Sequence, residues 1–164
     1  MLVSCNNGKK VTIFEIGDSE DVVINTLVKD FTIGGEHWTR DQIKDELYYD
    51  SESTREYINF SEYITLYDCV YKGQEYYKVR VYFSGFRVRR IEVKIEKNKM
   101  KSLHRRLKSK YGKSYRANLP RSFGWEISTV YIGDIDGIIV TDKGDLYLVE
   151  VVSGEELYKL KSFI

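Results

Sequence analysis

The sequence is poor in proline, cysteine and histidine, with one, two and two of them among 164 residues. A single proline and scattered glycines leave no stretch with the composition of a disordered linker. No run approaches the roughly 18 apolar residues that a membrane-spanning helix needs. Two cysteines and two histidines, far apart and without ligand spacing, do not form a zinc site, and we predict no cofactor. The remaining composition, 42% hydrophobic and 31% charged, is typical of one ordinary globular domain or two very small ones.

Acidic residues are scarce in the middle of the chain. Residues 72–121 hold 17 Lys and Arg against three acids, a net charge of +14, whereas the remainder carries −13. This asymmetry indicates an anionic partner, which could be nucleic acid, anionic lipid headgroups or an acidic protein. The alternatives are that the two parts neutralise each other in the fold, or that the charges are simply solvated. The predicted anionic-partner surface consists of Lys101, Arg105, Arg106, Lys108, Lys110, Arg80 and Arg90.

The stretch Leu2-Val3-Ser4-Cys5 has the pattern at which bacterial lipoproteins are cut and lipidated. A small residue stands directly before the cysteine, an apolar residue stands three positions before it, and polar residues follow. A signal peptide needs a basic start and an apolar run of about 7–15 residues, for which Met1 alone stands here. Either the start lies further upstream or the match is due to chance. We predict a tether at residues 1–10 that is lipidated at Cys5.

The second cysteine, Cys69, lies within a stretch that reads as a strand. A free cysteine in such a place usually behaves as a small buried hydrophobic residue. We therefore predict a buried thiol, with a Cys5–Cys69 disulfide as the alternative.

Hydrophobic periodicity predicts the elements of the first half. A short strand at 11–16 is followed by a helix with Asp18 as its N-cap, and a second helix is capped by Thr39. Three antiparallel strands follow at 63–71, 75–83 and 87–95. This meander has one apolar side and one basic, tyrosine-bearing side, on which we expect the charges to be neutralised. The basic side carries Lys78, Arg80 and Tyr82, flanked by Arg89, Arg90 and Lys94.

The second half repeats this order. Asn98 is the predicted N-cap of a helix that Gly112 ends, and strands follow at 125–132, 137–141 and 146–152, the last two joined by a hairpin loop. We predict an α+β fold with helices packed on one face of an antiparallel sheet, in two helix-plus-meander repeats at 11–97 and 98–164. The predicted core includes Val79, Val81, Ile91, Val93, Leu103, Leu107, Trp125, Ile139 and Leu148.

Four stretches together carry a resemblance to a known group: "GDSEDVV", "VYKGQEYYKVRVYF", "LHRRLKSKYGKSY" and "GWEISTVYI". In this order they resemble a loose group of small bacterial envelope lipoproteins with β-lactamase-inhibitor-protein-like (SmpA-type) tandem domains. The resemblance implies a non-enzymatic interaction module that is lipid-anchored, faces the periplasm and binds another envelope protein or an anionic surface. The protein would contact the membrane only through this lipid anchor. The alternative is a cytoplasmic module that binds nucleic acid or an acidic protein through residues 72–121.

One outline of catalytic chemistry remains. Asp136 before one strand and Glu150 within the next have the layout of the PD-(D/E)xK nucleases, whose two carboxylates hold magnesium. The lysine expected two residues after the glutamate is replaced by Val152. The simpler interpretation is an acidic loop and a strand with Glu150 turned to solvent. His37 and His104 have no evident nucleophile partner, and we predict that both are surface residues.

Overall fold

The computed structural model describes residues 13–49 and 62–164. Cys5, the predicted tether and the first two residues of the predicted 11–16 strand lie outside the described residues. Residues 13–16 form bends and turns, so the part of that strand that is described is not a strand.

The described residues form four α-helices and nine strands, and the strands make up one sheet. No helix in these two ranges is long and apolar enough to cross a bilayer. The elements are, in chain order, α1 (Glu20–Asp30), β1 (Phe31–Ile33), α2 (Arg40–Asp45), β2 (Leu47–Tyr49), β3 (Glu62–Tyr71), β4 (Gln74–Ser84), β5 (Arg87–Glu96), α3 (Leu103–Tyr111), β6 (Ser114–Arg121), β7 (Gly124–Ile132), β8 (Gly137–Asp142), β9 (Leu146–Val152) and α4 (Gly154–Lys161).

The sheet is antiparallel throughout, which confirms the predicted α+β class. Its strand order is β1-β3-β4-β5-β9-β8-β7-β6, and β2 pairs with β3 at the same edge as β1. Strands β5 and β9 pair directly, with Ile91 opposite Val151. The sheet therefore runs without interruption across the predicted boundary at residue 97, and the division into two repeats stays a prediction.

Two apolar clusters cover the two faces of the sheet. The larger contains α1, α2 and α3 side chains together with residues of β3, β4, β5, β8 and β9. The smaller places Leu157 and Leu160 of α4 against β6 to β9 on the opposite face. Gly137 permits this close packing, because a Cβ there would lie 2.9 Å from Leu157 Cδ1. We call the first side the helix face and the second the α4 face.

The helix boundaries confirm some predicted caps and correct others. Thr39 caps α2 in a capping box with Gln42, as predicted, and Gly112 ends α3. The predicted caps Asp18 and Asn98 are wrong, since Ser19 caps α1 and α3 begins only at Leu103. Asp18 instead accepts a hydrogen bond from the Glu15 N–H at 2.9 Å.

The predicted core is confirmed except at two positions on the second half. Trp125 is 63% exposed, because it lies near the tip of the β6–β7 hairpin, where the ring of Phe163 meets it edge-on. Leu148 is half-buried.

In β4 the alternation of buried and exposed side chains changes locally, since Tyr76 is buried and Tyr77 is exposed. The left-handed backbone of Asp68, at φ 52°, lies where this change occurs.

Glu20 at the start of α1 and Glu62 at the start of β3 lie close together, and this pair predicts that the stability of the fold depends on pH. Burial, then the neighbouring Glu62 carboxyl, raises the pKa of Glu20 to about 7, against a weaker opposing effect of Lys44. Because this pKa is higher in the fold than in the unfolded chain, stability should fall as pH rises from about 4.5 to about 7. We expect Glu20→Gln to raise the midpoint of urea unfolding at pH 8 and to give no gain at pH 4.

Glu36→Gln is the matched control, because Glu36 is exposed and its carboxyl makes no contact within the described residues. A stabilisation by Glu20→Gln that is the same at pH 4 and pH 8 would contradict this account.

Candidate functional site

The half of the α4 face formed by β2 to β5 carries a row of tyrosines and cations. Directly opposed residues of antiparallel strands point to the same side of a sheet, so the strand register assigns them to one surface. Tyr48 lies opposite Tyr63, Thr65 opposite Arg80, and Lys78 opposite both Tyr67 and Lys94. Helix α4 packs over β6 to β9 and leaves this half open among the described elements. We call this surface the tyrosine–lysine face: Tyr48, Tyr63, Thr65, Tyr67, Lys78, Arg80 and Lys94.

Three cations lie side by side on this face, and Glu92 of β5 lies directly opposite Arg80 but forms its ion pair with Arg90. No carboxylate of the described residues is within ion-pair distance of Lys78, Arg80 or Lys94. Lys78 and Lys94 are directly opposed on neighbouring strands, and like charges so placed destabilise a sheet. Burial lowers the pKa of Lys78, and the nearby charges of Arg80 and Lys94 lower it further against the opposing effect of Glu92. The positive charge on this face is therefore only partly balanced.

The side chain of Arg80 is held in place by neutral groups. Its Nε donates to Thr65 Oγ1 at 2.7 Å and its Nη1 donates to the Tyr82 hydroxyl at 3.3 Å. Its guanidinium also lies 5.1 Å from the ring centroid of Tyr63. These partners fix the guanidinium without neutralising it, so its charge remains available to an anion.

The tyrosines form a connected aromatic layer with exposed members at its margin. The ring of Tyr63 lies 5.0 Å from that of Tyr48 and 5.7 Å from that of Tyr82. Tyr48 and Tyr67 are 56% and 53% exposed. Tyr63 therefore supports the ring of Tyr48 from within, whereas the ring of Tyr67 meets that of Tyr77 edge-on, with 6.5 Å between their centroids.

The neighbouring arginine on β5 shows the opposite arrangement. Arg90 is 6% exposed and forms ion pairs with Glu92, Glu150 and Glu156. Burial alone would lower the pKa of Arg90, but the three carboxylates raise it. Arg90 is not part of an exposed surface, and its inclusion in the predicted anionic-partner surface is wrong. The expected neutralisation of the basic side of the meander is therefore found at Arg90 but not at Lys78, Arg80 and Lys94, which form no ion pair within the described residues.

Glu150 is buried at the centre of the same network. It also accepts from Arg121 at 2.7 Å, and Arg121 reaches Glu126 at 3.1 Å. Burial alone would raise the pKa of Glu150, but Arg90 and Arg121 hold it below its usual range. The expectation that Glu150 faces solvent is wrong, because the side chain is enclosed by two arginines.

The structure does not bring Asp136 and Glu150 together. Asp136 accepts from the Tyr111 hydroxyl at 3.0 Å, beside the end of α3, whereas Glu150 lies on the α4 face. Gly133 allows the approach, since a Cβ there would lie 2.7 Å from Asp136 Oδ1. Burial raises the pKa of Asp136, and the Tyr111 hydrogen bond partly offsets this. No group of three or more potential metal ligands is found among His, Cys, Asp and Glu of the described ranges.

The predicted basic surface is divided between the two faces of the sheet. Helix α3 packs on the helix face through Leu103 and Leu107, whereas Arg80 lies on the α4 face. Arg106 is half-buried and donates to Met100 Sδ at 3.5 Å. The remaining predicted residues of this region are exposed: Lys101, Arg105, Lys108 and Lys110.

The remaining cysteine and histidine predictions have different outcomes. Cys69 is a buried free thiol, as predicted, and burial raises its pKa to about 12. His37 is exposed, as predicted. His104 is not a surface residue: its Nδ1 lies 2.8 Å from the Tyr131 hydroxyl, and burial lowers its pKa.

Sequence reasoning found the cations of the tyrosine–lysine face but missed its aromatic margin. Lys78, Arg80 and Lys94 follow from the alternation of β4 and β5. Tyr63 and Tyr67 could have been found in the same way, since they alternate with Ile64 and Leu66.

Comparisons with protein-family models, with curated proteins and with solved structures found no match to this chain. The resemblance to envelope lipoproteins therefore stays a prediction from the sequence.

Proposed function

We propose that this protein is a non-enzymatic interaction module that binds an anionic macromolecule through the tyrosine–lysine face. The observation that carries the proposal is the cluster of Lys78, Arg80 and Lys94, which forms no ion pair with a carboxylate of the described residues, since the neighbouring Glu92 pairs with Arg90. A bound anion would supply the missing counter-charge.

The contrast with Arg90 and Arg121 supports this assignment. On the same side of the sheet, those two arginines are fully engaged by glutamates. Lys94 lies on the same strand as Arg90, and Lys78 and Arg80 lie on the neighbouring strand β4, yet none of the three forms an ion pair with a carboxylate of the described residues. On α3, Lys108 is exposed, which is the ordinary arrangement of a charge on a protein surface. Opposed, partly buried cations have a cost to the free fold and are better explained by a ligand.

We expect the double substitution Lys78→Gln/Lys94→Gln to weaken binding of fluorescently labelled long-chain polyphosphate by roughly tenfold or more. A tenfold loss corresponds to about 1.4 kcal/mol, a modest value for two lost ionic contacts. The measurement is fluorescence anisotropy at about 50 mM and 200 mM salt, and the difference should shrink at the higher salt.

The matched control is Lys101→Gln/Lys108→Gln, which removes the same charge from α3 and the turn that precedes it. We expect this control to change the affinity by less than about twofold, and that small change should come from the lower net charge of the protein. Equal losses in both variants, or a loss in the control alone, would contradict the proposal.

Lipid anchoring at Cys5 is a separate proposal, supported by the Leu2-to-Cys5 motif and the polar residues after it. The genomic DNA upstream of Met1 tests it. An in-frame basic start followed by an apolar run would support an envelope lipoprotein, and a ribosome-binding site directly before Met1 would contradict one.

A further inference from the structure

We infer that the anionic partner is a single-stranded nucleic acid, whose bases stack on Tyr48 and Tyr67 while its phosphates contact Lys78, Arg80 and Lys94. The inference rests on the proposed function and adds the chemical class of the ligand. Its basis is that the exposed rings and the unpaired cations occupy one surface of the sheet.

The layout of the face suits a strand of nucleotides. Tyr48 lies beside Tyr63, and Tyr63 and Tyr67 are four residues apart on β3, which is roughly 13 Å along a strand. Between them lies Thr65, opposite Arg80, and Tyr67 lies opposite Lys78. The aromatic rings of β2 and β3 therefore lie at one margin of the face, and the cations of β4 and β5 lie further in.

This combination distinguishes single strands from other polyanions. Every unpaired base has a flat face that can stack on a tyrosine, and its phosphate can bind an adjacent cation. In a duplex the faces of the bases are already stacked on one another, so exposed rings on a sheet would find no partner. Anionic lipid headgroups or polyphosphate would use the cations alone and would leave Tyr48 and Tyr67 without a role.

The test compares two labelled 12-nucleotide strands of equal charge, one with mixed bases and one abasic throughout. We expect the intact protein to bind the base-containing strand roughly 5- to 150-fold more tightly for each base that stacks, the range equivalent to 1–3 kcal/mol. Tyr67→Ala should lower the affinity for the base-containing strand and leave the affinity for the abasic strand unchanged. Tyr158→Ala is the control, because Tyr158 is 81% exposed on α4.

Tyr48→Ala provides an independent variant should Tyr67→Ala fail to fold, and the same result is expected of it. The failures of the two proposals can be told apart. Equal binding of both strands would overturn the single-strand inference and leave the polyanion-binding function intact. Binding of neither strand, nor of polyphosphate, would overturn both. Binding confined to duplex DNA, or to vesicles of anionic phospholipid and not to the mixed-base strand, would also overturn the inference.

Discussion

Arg90→Met is expected to destabilise the protein by about 3–5 kcal/mol at pH 7, measured as the free energy of urea unfolding. The substitution removes the cation shared by Glu92, Glu150 and Glu156 and leaves their carboxylates close together. Breaking a buried ion-pair network on one side typically has an effect of this size, because an uncompensated charge remains buried. Arg121 still contacts Glu150, so the loss should not exceed this range.

Two comparisons make this prediction specific. Arg89→Met removes a charge from the adjacent, exposed position and should change the free energy of unfolding by no more than about 0.5 kcal/mol. The pKa of Glu150 is lowered in the fold, so its stabilising contribution is present above its unfolded pKa and is lost as pH falls below it. The effect of Arg90→Met should therefore be smaller at pH 3 than at pH 7. An effect that is equal at both pH values would show that lost packing, and not the charge, is responsible.

Leu107→Ala should cost about 2–5 kcal/mol, the usual result of truncating a fully buried leucine. Leu107 is 0% exposed and holds α3 on the helix face together with Leu103. The neighbouring Lys108→Ala changes an exposed residue and should have an effect below about 0.5 kcal/mol. A cost below 1 kcal/mol for Leu107→Ala would mean that α3 does not depend on this contact.

The six long strands of the two meanders could be predicted because their apolar residues alternate or run continuously. Strands β1 and β2 have three residues each, too few to show a period. Strand β6 contains Pro120, which a central strand would not tolerate but an edge strand does. Helix α4 begins at Gly154, directly after its N-cap Ser153, and this Ser-Gly pair reads as a turn. β1 and β2 were therefore missed for their length, β6 because its proline is tolerated only at a sheet edge, and α4 because its first residues are typical of a turn.

The functional surface was predictable in composition but not in arrangement. The excess of positive charge in residues 72–121 is real, yet the fold distributes it in three ways. Arg90 is neutralised by glutamates that follow in the chain, α3 carries exposed lysines on its outer side, and the β2–β5 half of the α4 face keeps a cluster without ion pairs among the described residues. Which charge meets which partner depends on the pairing of β5 with β9, a contact between residues about 60 positions apart. No local pattern could have indicated it.

The most direct test of the binding surface is a residue-resolved NMR titration of the protein with polyphosphate at low salt. The tyrosine–lysine face predicts the largest amide shift changes along β3 to β5, at Tyr67, Lys78 and Lys94, with small changes on α3. Shift changes centred on Arg105 and Lys108 would instead place binding on the helix, and would contradict the assignment of this face as the site.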